Sequence, residues 1–352
     1  MNAPRVLWLS PWMRTLARVY TEALRRHGAE VLLVTSDRHP ESDGARDYEL
    51  VLDPRFRSLS TWPDTLAARQ RIRAWRPDVV VTELVRDPRW IMFAGRTPRV
   101  QLVHDDRAHD SGEQLPGYEQ AVFDRWGARS AATVVFSDYV ARAIADRRDV
   151  AGTVLHTVPL TSDLDQALVG LPAPAELRRD FVLIGRLNPY KNIDVVLDAW
   201  DLHVNGTAWR GDDLVLIGEG ASINRELPKH VIRRAGAFRY REVAATIAAA
   251  KASVVHYRRA SQSGVQVLSM QLGVTPIVST VGALPEFQPP GSDPVGVDDV
   301  GALAAAFDRL ADPVTAACRG AVAARHYAQR FAADHAAGQL LDVLHNVIRT
   351  AR

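Results

Sequence analysis

Short apolar runs alternate with amphipathic stretches along the whole chain. In the first half, strand-like runs fall at 5–10, 30–35, 48–52, 78–83, 99–104, 132–137 and 153–159. Several are continuous, such as Val79-Val80-Val81 and Val134-Val135-Phe136. Unbroken apolar runs mark strands buried on both faces, as in a parallel sheet covered by helices. Between them, stretches such as 14–27 place Leu16, Val19, Tyr20 and Leu24 at helical spacing. Repeated strand–helix–strand units predict a doubly wound sheet. The rhythm stops at 161–180, where Leu171-Pro172-Ala173-Pro174-Ala175 favours neither helix nor strand and reads as a linker. A second series then begins. Strands are expected at 181–185, 213–217, 230–234, 252–257, 275–279 and 293–297, and helices at 191–202, 240–250, 264–272 and 299–310. A long helical stretch, 313–350, breaks near 332.

The expected fold is therefore α/β, with two doubly wound, Rossmann-like parallel-sheet domains facing a central cleft. The first domain spans 1–160 and the second 181–332, and a closing helix at 333–352 packs back on the first. Ligands of such sheets bind outside the carboxyl ends of the strands, so chemistry is sought there.

Composition narrows the partners. The 352 residues suit two domains of about 150–180 each. The 43 Lys and Arg nearly cancel 41 Asp and Glu, so bulk charge gives no argument for nucleic acid. Cys318 is the single cysteine, which excludes an internal disulfide and fits a reducing compartment. The run Arg5-Val6-Leu7-Trp8-Leu9 is too short for a signal peptide's apolar region, and no apolar run reaches the roughly 18 residues of a membrane span. A cytoplasmic location is expected, and the Ala- and Arg-heavy usage points to a GC-rich, bacterial source. Arg69, Arg71, Arg73, Arg76 and Trp75 share the stretch 64–76. They read as solvated surface cations or as a face for peripheral contact with the inner membrane surface. None of the 11 histidines falls in a metal-ligand spacing.

The sharpest chemical signal is Phe181-Val182-Leu183-Ile184-Gly185-Arg186-Leu187-Asn188-Pro189-Tyr190-Lys191-Asn192. A buried strand ends at Gly185, two cations follow five residues apart, and a helix begins near Asn192. Cations above strand ends and beside a helix N-terminus favour phosphate oxygens. Arg grips a diphosphate with two parallel bonds, while Lys acts as a point charge. Solvated loop cations are the bland alternative. Asp213-Leu214-Val215-Leu216-Ile217-Gly218-Glu219-Gly220 is another buried strand ending in a glycine turn. Further on come Gly236-Ala237-Phe238-Arg239, then Ser261-Gln262-Ser263-Gly264-Val265-Gln266-Val267-Leu268-Ser269, then Val274-Thr275-Pro276, and last Gly282-Ala283-Leu284-Pro285-Glu286.

In this order and spacing, these elements over roughly 153–290 resemble the retaining glycosyltransferases of family 4. That family reads glycine-arginine-leucine, three variable residues and lysine, followed by a strand ending in glycine-x-glycine. Two glutamates eight positions apart come next, then glycine-x-proline and a closing proline-glutamate. The resemblance implies that Arg186 and Lys191 hold the diphosphate of a nucleotide-sugar donor near the Gly218 turn. It implies that Ala237 and Phe238 grip the base, and that Ser263, Gly264 and Val265 open the helix whose amides meet the phosphate and sugar. Glu286 falls on the final glutamate, with its role open. Ser261 and Ser269 stand where the family has its two glutamates, and Val274 where it has glycine. Serine is shorter and makes no charge-assisted bond. Either the donor is read differently, through Gln262 or a water, or the site is partly degenerate. Capping or filling the helix start is the bland role for both serines.

The first half matches only in its strand–helix pattern. Ser10-Pro11-Trp12-Met13 replaces the paired glycines of relatives, so Trp12 either stacks on an acceptor or packs on its own helix. His104 ends a strand where the family places a histidine near the reacting sugar, able to donate to a hydroxyl or to the leaving phosphate. Asp105, Asp106 and Glu83 are further acceptor candidates. The resemblance implies sugar transfer from a nucleotide-diphosphate sugar to a hydroxyl of a glycan, lipid-linked or small-molecule acceptor. Configuration is retained, with no cofactor and no metal; catalysis rests on His104, Arg186 and Lys191. A binding or scaffold subunit with a degenerate site and a sugar-nucleotide epimerase are the alternatives.

Overall fold

The computed structural model describes residues 3–36, 44–55, 58–107, 117–220 and 225–351. The chain divides into two compact units, Met1–Asp163 with Ala333–Arg352, and Leu164–Ala332.

The first unit holds seven parallel strands: β1 (Arg5–Ser10), β2 (Glu30–Ser36), β3 (Glu49–Leu52), β4 (Val79–Glu83), β5 (Arg99–Val103), β6 (Ala132–Val135) and β7 (Val154–Thr157). They lie in the order β3-β2-β1-β4-β5-β6-β7. The order reverses beside β1, as in a doubly wound sheet, and every recorded pairing is parallel. Helices α1 (Arg14–Arg26), α2 (Trp62–Trp75), α3 (Pro88–Ala94), α4 (Gly117–Gly127) and α5 (Asp138–Ile144) connect them. The apolar runs of β1 and β4 are fully buried, because helices cover both faces of the sheet. An ion cluster sits inside this unit. The Glu49 carboxylate receives Arg14 at 2.8 Å, Arg18 at 2.6 Å and the Thr35 hydroxyl at 3.0 Å.

The second unit holds β8 (Phe181–Ile184), β9 (Leu214–Gly218), β10 (Val231–Ala235), β11 (Ala252–Val255) and β12 (Pro276–Val278), in the order β10-β9-β8-β11-β12 and again parallel. Helices α6 (Ile193–Val204), α7 (Tyr240–Ala248), α8 (Gly264–Gln271), α9 (Val300–Leu310) and α10 (Pro313–Arg330) flank the sheet. Phe181, Trp200 and Phe307 form the aromatic centre of the core on one face. The buried Arg178 guanidinium donates to four backbone carbonyls, those of Ala173, Ala248, Ala250 and Gly273. It fixes the proline-bearing segment to this unit.

Helix α11 (Ala333–Ala351) belongs to the first unit, where it packs along α1. Arg26 pairs with Asp334 at 2.9 Å. The expected strand at 293–297 is not a strand: only Val295 bridges, to Ser279. Pro294 has no N–H to give a ladder, so the pairing stops at one bridge.

Candidate functional site

In the second unit the strand β8 ends at Gly185, and the chain turns through Arg186 to a short 3-10 turn, Pro189–Lys191. Arg186 is exposed, whereas Lys191 is only 3% exposed. The Lys191 Nζ donates to the Ile184 carbonyl at 2.9 Å and to the Tyr257 hydroxyl at 2.8 Å. No carboxylate pairs with it among the described residues. Burial is the main reason its pKa falls to about 8; Tyr190 opposes the fall and Arg186 adds to it. Gly185 takes φ +111°, a conformation side chains rarely adopt, and a Cβ on it would lie 3.0 Å from the Lys191 Nζ.

The turn after β9 interlocks with that after β8. Gly218 has φ +137°, and a Cβ on it would stand 2.1 Å from the Gly185 carbonyl oxygen. Only glycine fits that close backbone approach. The Leu187 N–H reaches the Glu219 carbonyl at 2.6 Å, which closes the pair of turns. Beside them, Ser263 caps α8, its Oγ accepting the Gln266 N–H at 3.3 Å. The free amides of a helix start favour anionic oxygens.

The remaining expected donor residues are placed as follows. Gly264 is exposed and Val265 half-buried at the start of α8. Ser261 is buried just before it. Ser269 is fully buried, and its hydroxyl donates back to the Val265 carbonyl at 2.7 Å, within its own helix. Ala237 is exposed and Phe238 half-buried after the edge strand β10, where Phe238 packs against Tyr240. Glu286 is half-buried in the 3-10 turn Leu284–Phe287.

In the first unit, Glu83 ends β4 and is wholly buried. Its carboxylate accepts the Trp8 Nε1–H at 3.2 Å and the His104 Nε2–H at 2.7 Å. Glu83 thus stands buried behind His104. The imidazole lies against Phe136, 4.7 Å between ring centres. Burial disfavours its charged form, but the Glu83 hydrogen bond and the charges of Glu83 and Asp105 outweigh that and raise the His104 pKa. Asp105 and Asp106 are half-buried, with their backbone carbonyls held by Arg147 at 2.9 and 3.0 Å. His104, Asp105, Asp106, Gln101, Phe123 and Arg147 line one cavity of about 640 Å³. Trp12 is 42% exposed and lines a separate recess of about 50 Å³ with Arg86 and Trp90.

Three residues absent from the sequence-derived set stand at this site. Tyr257 joins Lys191 to the start of α8. Asn192, at φ 54°, donates to the Val297 carbonyl at 2.6 Å and to His256 Nδ1 at 3.2 Å. His256 Nε2 donates to the Gly296 carbonyl at 3.0 Å, and burial lowers its pKa, so it stays neutral. Strand-end position was the available signal for His256 and Tyr257; nothing local marks their partners. Among the described residues no group of three or more His, Cys, Asp or Glu side chains is arranged to hold a metal ion, and no helix is long and apolar enough to cross a membrane.

Residues 13–166 match the model of Glycosyltransferase Family 4, and residues 178–312 that of Glycosyl transferases group 1. No curated protein matches the chain significantly. Among solved structures, sucrose-phosphate synthase from Thermosynechococcus elongatus aligns with a TM-score of 0.72 at 17% identity, covering 99% of this chain and 100% of its own. HepE of Anabaena, in complex with UDP-glucose, aligns at 0.66 and 14% identity over 97% and 99%. The α,α-trehalose-phosphate synthase (UDP-forming) from Burkholderia vietnamiensis aligns at 0.68 and 12% identity over 99% and 98%. At such identities these likenesses establish the shared fold, and the two family models establish the kinship. The chain is a glycosyltransferase of the GT-B type, resembling family 4.

Proposed function

We propose that this chain transfers a sugar from a nucleotide-diphosphate sugar to an acceptor hydroxyl, with retention of configuration and without a metal or cofactor. Donor-binding residues belong to the second unit: Arg186 and Lys191 for the diphosphate, the start of α8 for phosphate and sugar, and Ala237 and Phe238 for the base. Acceptor-binding residues belong to the first unit, around His104, Asp105 and Asp106. The observation that carries this reading is Lys191, a buried cation with two neutral partners and no counter-charge among the described residues. A diphosphate supplies the missing negative charge. In the transition state charge builds on the departing phosphate oxygens, and preorganised donors stabilise it most strongly there. The leaving diphosphate deprotonates the acceptor on the same face, so little further acid–base chemistry is asked of the protein. His104, whose charged form Glu83 favours, supplies a donor to the reacting sugar or to the phosphate.

Complexes of HepE with UDP-glucose make uridine diphosphate sugars the first donors to try. The charge balance of the acceptor cavity, Asp105, Asp106, Asp124 and Asp149 against Arg86, Arg107, Arg147 and Arg148, favours a polar, hydroxyl-rich acceptor. The test is a thermal-shift and mass-spectrometric screen against nucleoside diphosphates and their sugars. A ligand at 100 times its Kd stabilises the fold by about 2.7 kcal/mol. Stabilisation by one nucleoside diphosphate and turnover of its sugar are expected. A chain that binds none of them is the scaffold of the alternative reading.

A further inference from the structure

The Lys191 ammonium has a built support that the sequence does not announce. Tyr257 is 3% exposed and follows β11. Its backbone is fixed twice by Ser279, whose Oγ accepts the Tyr257 N–H at 3.1 Å and donates to the Tyr257 carbonyl at 2.7 Å. Its ring meets Tyr190 edge-on at 5.7 Å. Its hydroxyl lies 2.8 Å from the Lys191 Nζ and 3.4 Å from the Ser263 Oγ. The side chain therefore connects the turn after β8 to the N-cap of α8, the two places assigned above to the donor's phosphates.

The direction of these bonds follows from chemistry. A protonated lysine only donates, so the Tyr257 oxygen accepts from it. The phenol proton is then available for Ser263, whose oxygen also accepts the Gln266 N–H. Burial pushes the Tyr257 pKa up to about 12, so the phenol keeps that proton at neutral pH. Among the described residues each end of the relay retains one uncommitted donor: the third N–H of Lys191 and the hydroxyl of Ser263.

We propose that Tyr257 is a positioning residue for sugar transfer, holding the Lys191 ammonium and the Ser263 hydroxyl together as a paired donor set for the donor's diphosphate. The role rests on the donor-site reading given above. Tyr257 itself does not touch the ligand. It keeps Lys191 charged and aimed, because a hydroxyl oxygen at 2.8 Å accepts a bond that only the ammonium makes well. The other groups acting on Lys191 are Arg186, a like charge, and Tyr190, both on its own turn.

The experiment is calorimetric titration of uridine, guanosine and adenosine diphosphates into the full chain between pH 6 and 9.5, with Tyr257→Phe and Ser263→Ala. Affinity of the parent begins to fall near pH 8, where Lys191 discharges. A hydrogen bond to a charged group is worth enough to move that onset in Tyr257→Phe down by about one pH unit. The variant then binds about as well as the parent at pH 6 and roughly tenfold more weakly at pH 9. Ser263→Ala weakens binding evenly across the range and leaves the onset near that of the parent. An equal loss at every pH in Tyr257→Phe, or no loss, overturns the role of Tyr257 while leaving the donor site intact. Should Tyr257→Phe not fold, a Ser263→Ala variant that binds like the parent overturns the paired donor set. Failure of the parent to bind any of the three diphosphates removes the donor-site reading and this role with it.

Discussion

Lys191 gives the most demanding test of the energetics, through Lys191→Met. Methionine keeps the length of the side chain and removes the charge. The drop of the lysine pKa from 10.5 to about 8 means that folding opposes the charged form. At pH 7 the amine is protonated in both states, so the full penalty of about 3 kcal/mol is present. It is relieved as pH rises from about 8 towards 10.5, where the unfolded chain binds more protons than the folded one. Methionine avoids the penalty but leaves the Ile184 carbonyl without its donor, a loss of about 1–3 kcal/mol. The net expectation at pH 7 is a gain of about 0–2 kcal/mol, the sense found when buried charges elsewhere are replaced by apolar groups.

Urea unfolding of parent and variant, followed by tryptophan fluorescence from pH 7 to 10.5, reads this out. In a parallel thermal melt, for a unit of this size, the gain appears as a rise of at most roughly 8 °C in Tm. The advantage of Lys191→Met should shrink above pH 8 and reverse by about pH 10.5. A saturating nucleoside diphosphate should stabilise the parent alone. A variant less stable than the parent at pH 7, or a difference that does not change with pH, refutes the account of an uncompensated buried cation.

Glu83→Gln should lower the His104 titration midpoint, since burial is then opposed by the charge of Asp105 alone; histidine proton NMR measures this, and an unchanged midpoint contradicts the pairing. Glu49→Ala should destabilise by about 3–5 kcal/mol in denaturant unfolding, because Arg14 and Arg18 are left buried without their carboxylate. Burial alone would raise the Glu49 pKa, but bonds from Arg14, Arg18 and the Arg46 backbone hold it at about 2. The stability it gives is therefore complete above about pH 4.5 and is lost as pH falls towards 2, and Glu49→Gln should flatten that part of the acid-unfolding curve. Sugar transfer should persist in EDTA; a loss restored by magnesium or manganese tells against direct phosphate stabilisation by Arg186 and Lys191.

The elements were readable wherever a local period decided them. Val79-Val80-Val81 and Val134-Val135 announce strands because both faces of the sheet are covered, and β1 to β12 lie within a few residues of their expected places. The stretch 293–297 misled because its apolar content resembles a strand while Pro294 interrupts the ladder. Side-chain partners follow no period. Tyr257 and Lys191 are 66 positions apart, and Glu83 and His104 are 21 apart; only the parallel register brings each pair to adjacent strand ends. Ser269 illustrates the same limit. Its spacing from Ser261 matches a motif, yet its hydroxyl is turned onto Val265, a choice set by burial on that face of α8.

The same features weigh on the choice between an active transferase and a scaffold. A protein that needs only shape gains nothing from a buried lysine with no counter-ion among the described residues, since an apolar residue of similar volume packs there at lower cost. Nor does it gain from Asn192 at φ 54° or Leu84 at φ 49°, each in a region that side chains rarely adopt. Leu84 directly follows Glu83, and Asn192 directly follows Lys191. Two of the five described non-glycine residues at positive φ, together with the buried lysine charge, thus sit next to the residues that fix the proposed chemistry, His104 through Glu83 and Lys191 itself. Such costs persist where they serve function, so their placement favours transfer over a purely structural role.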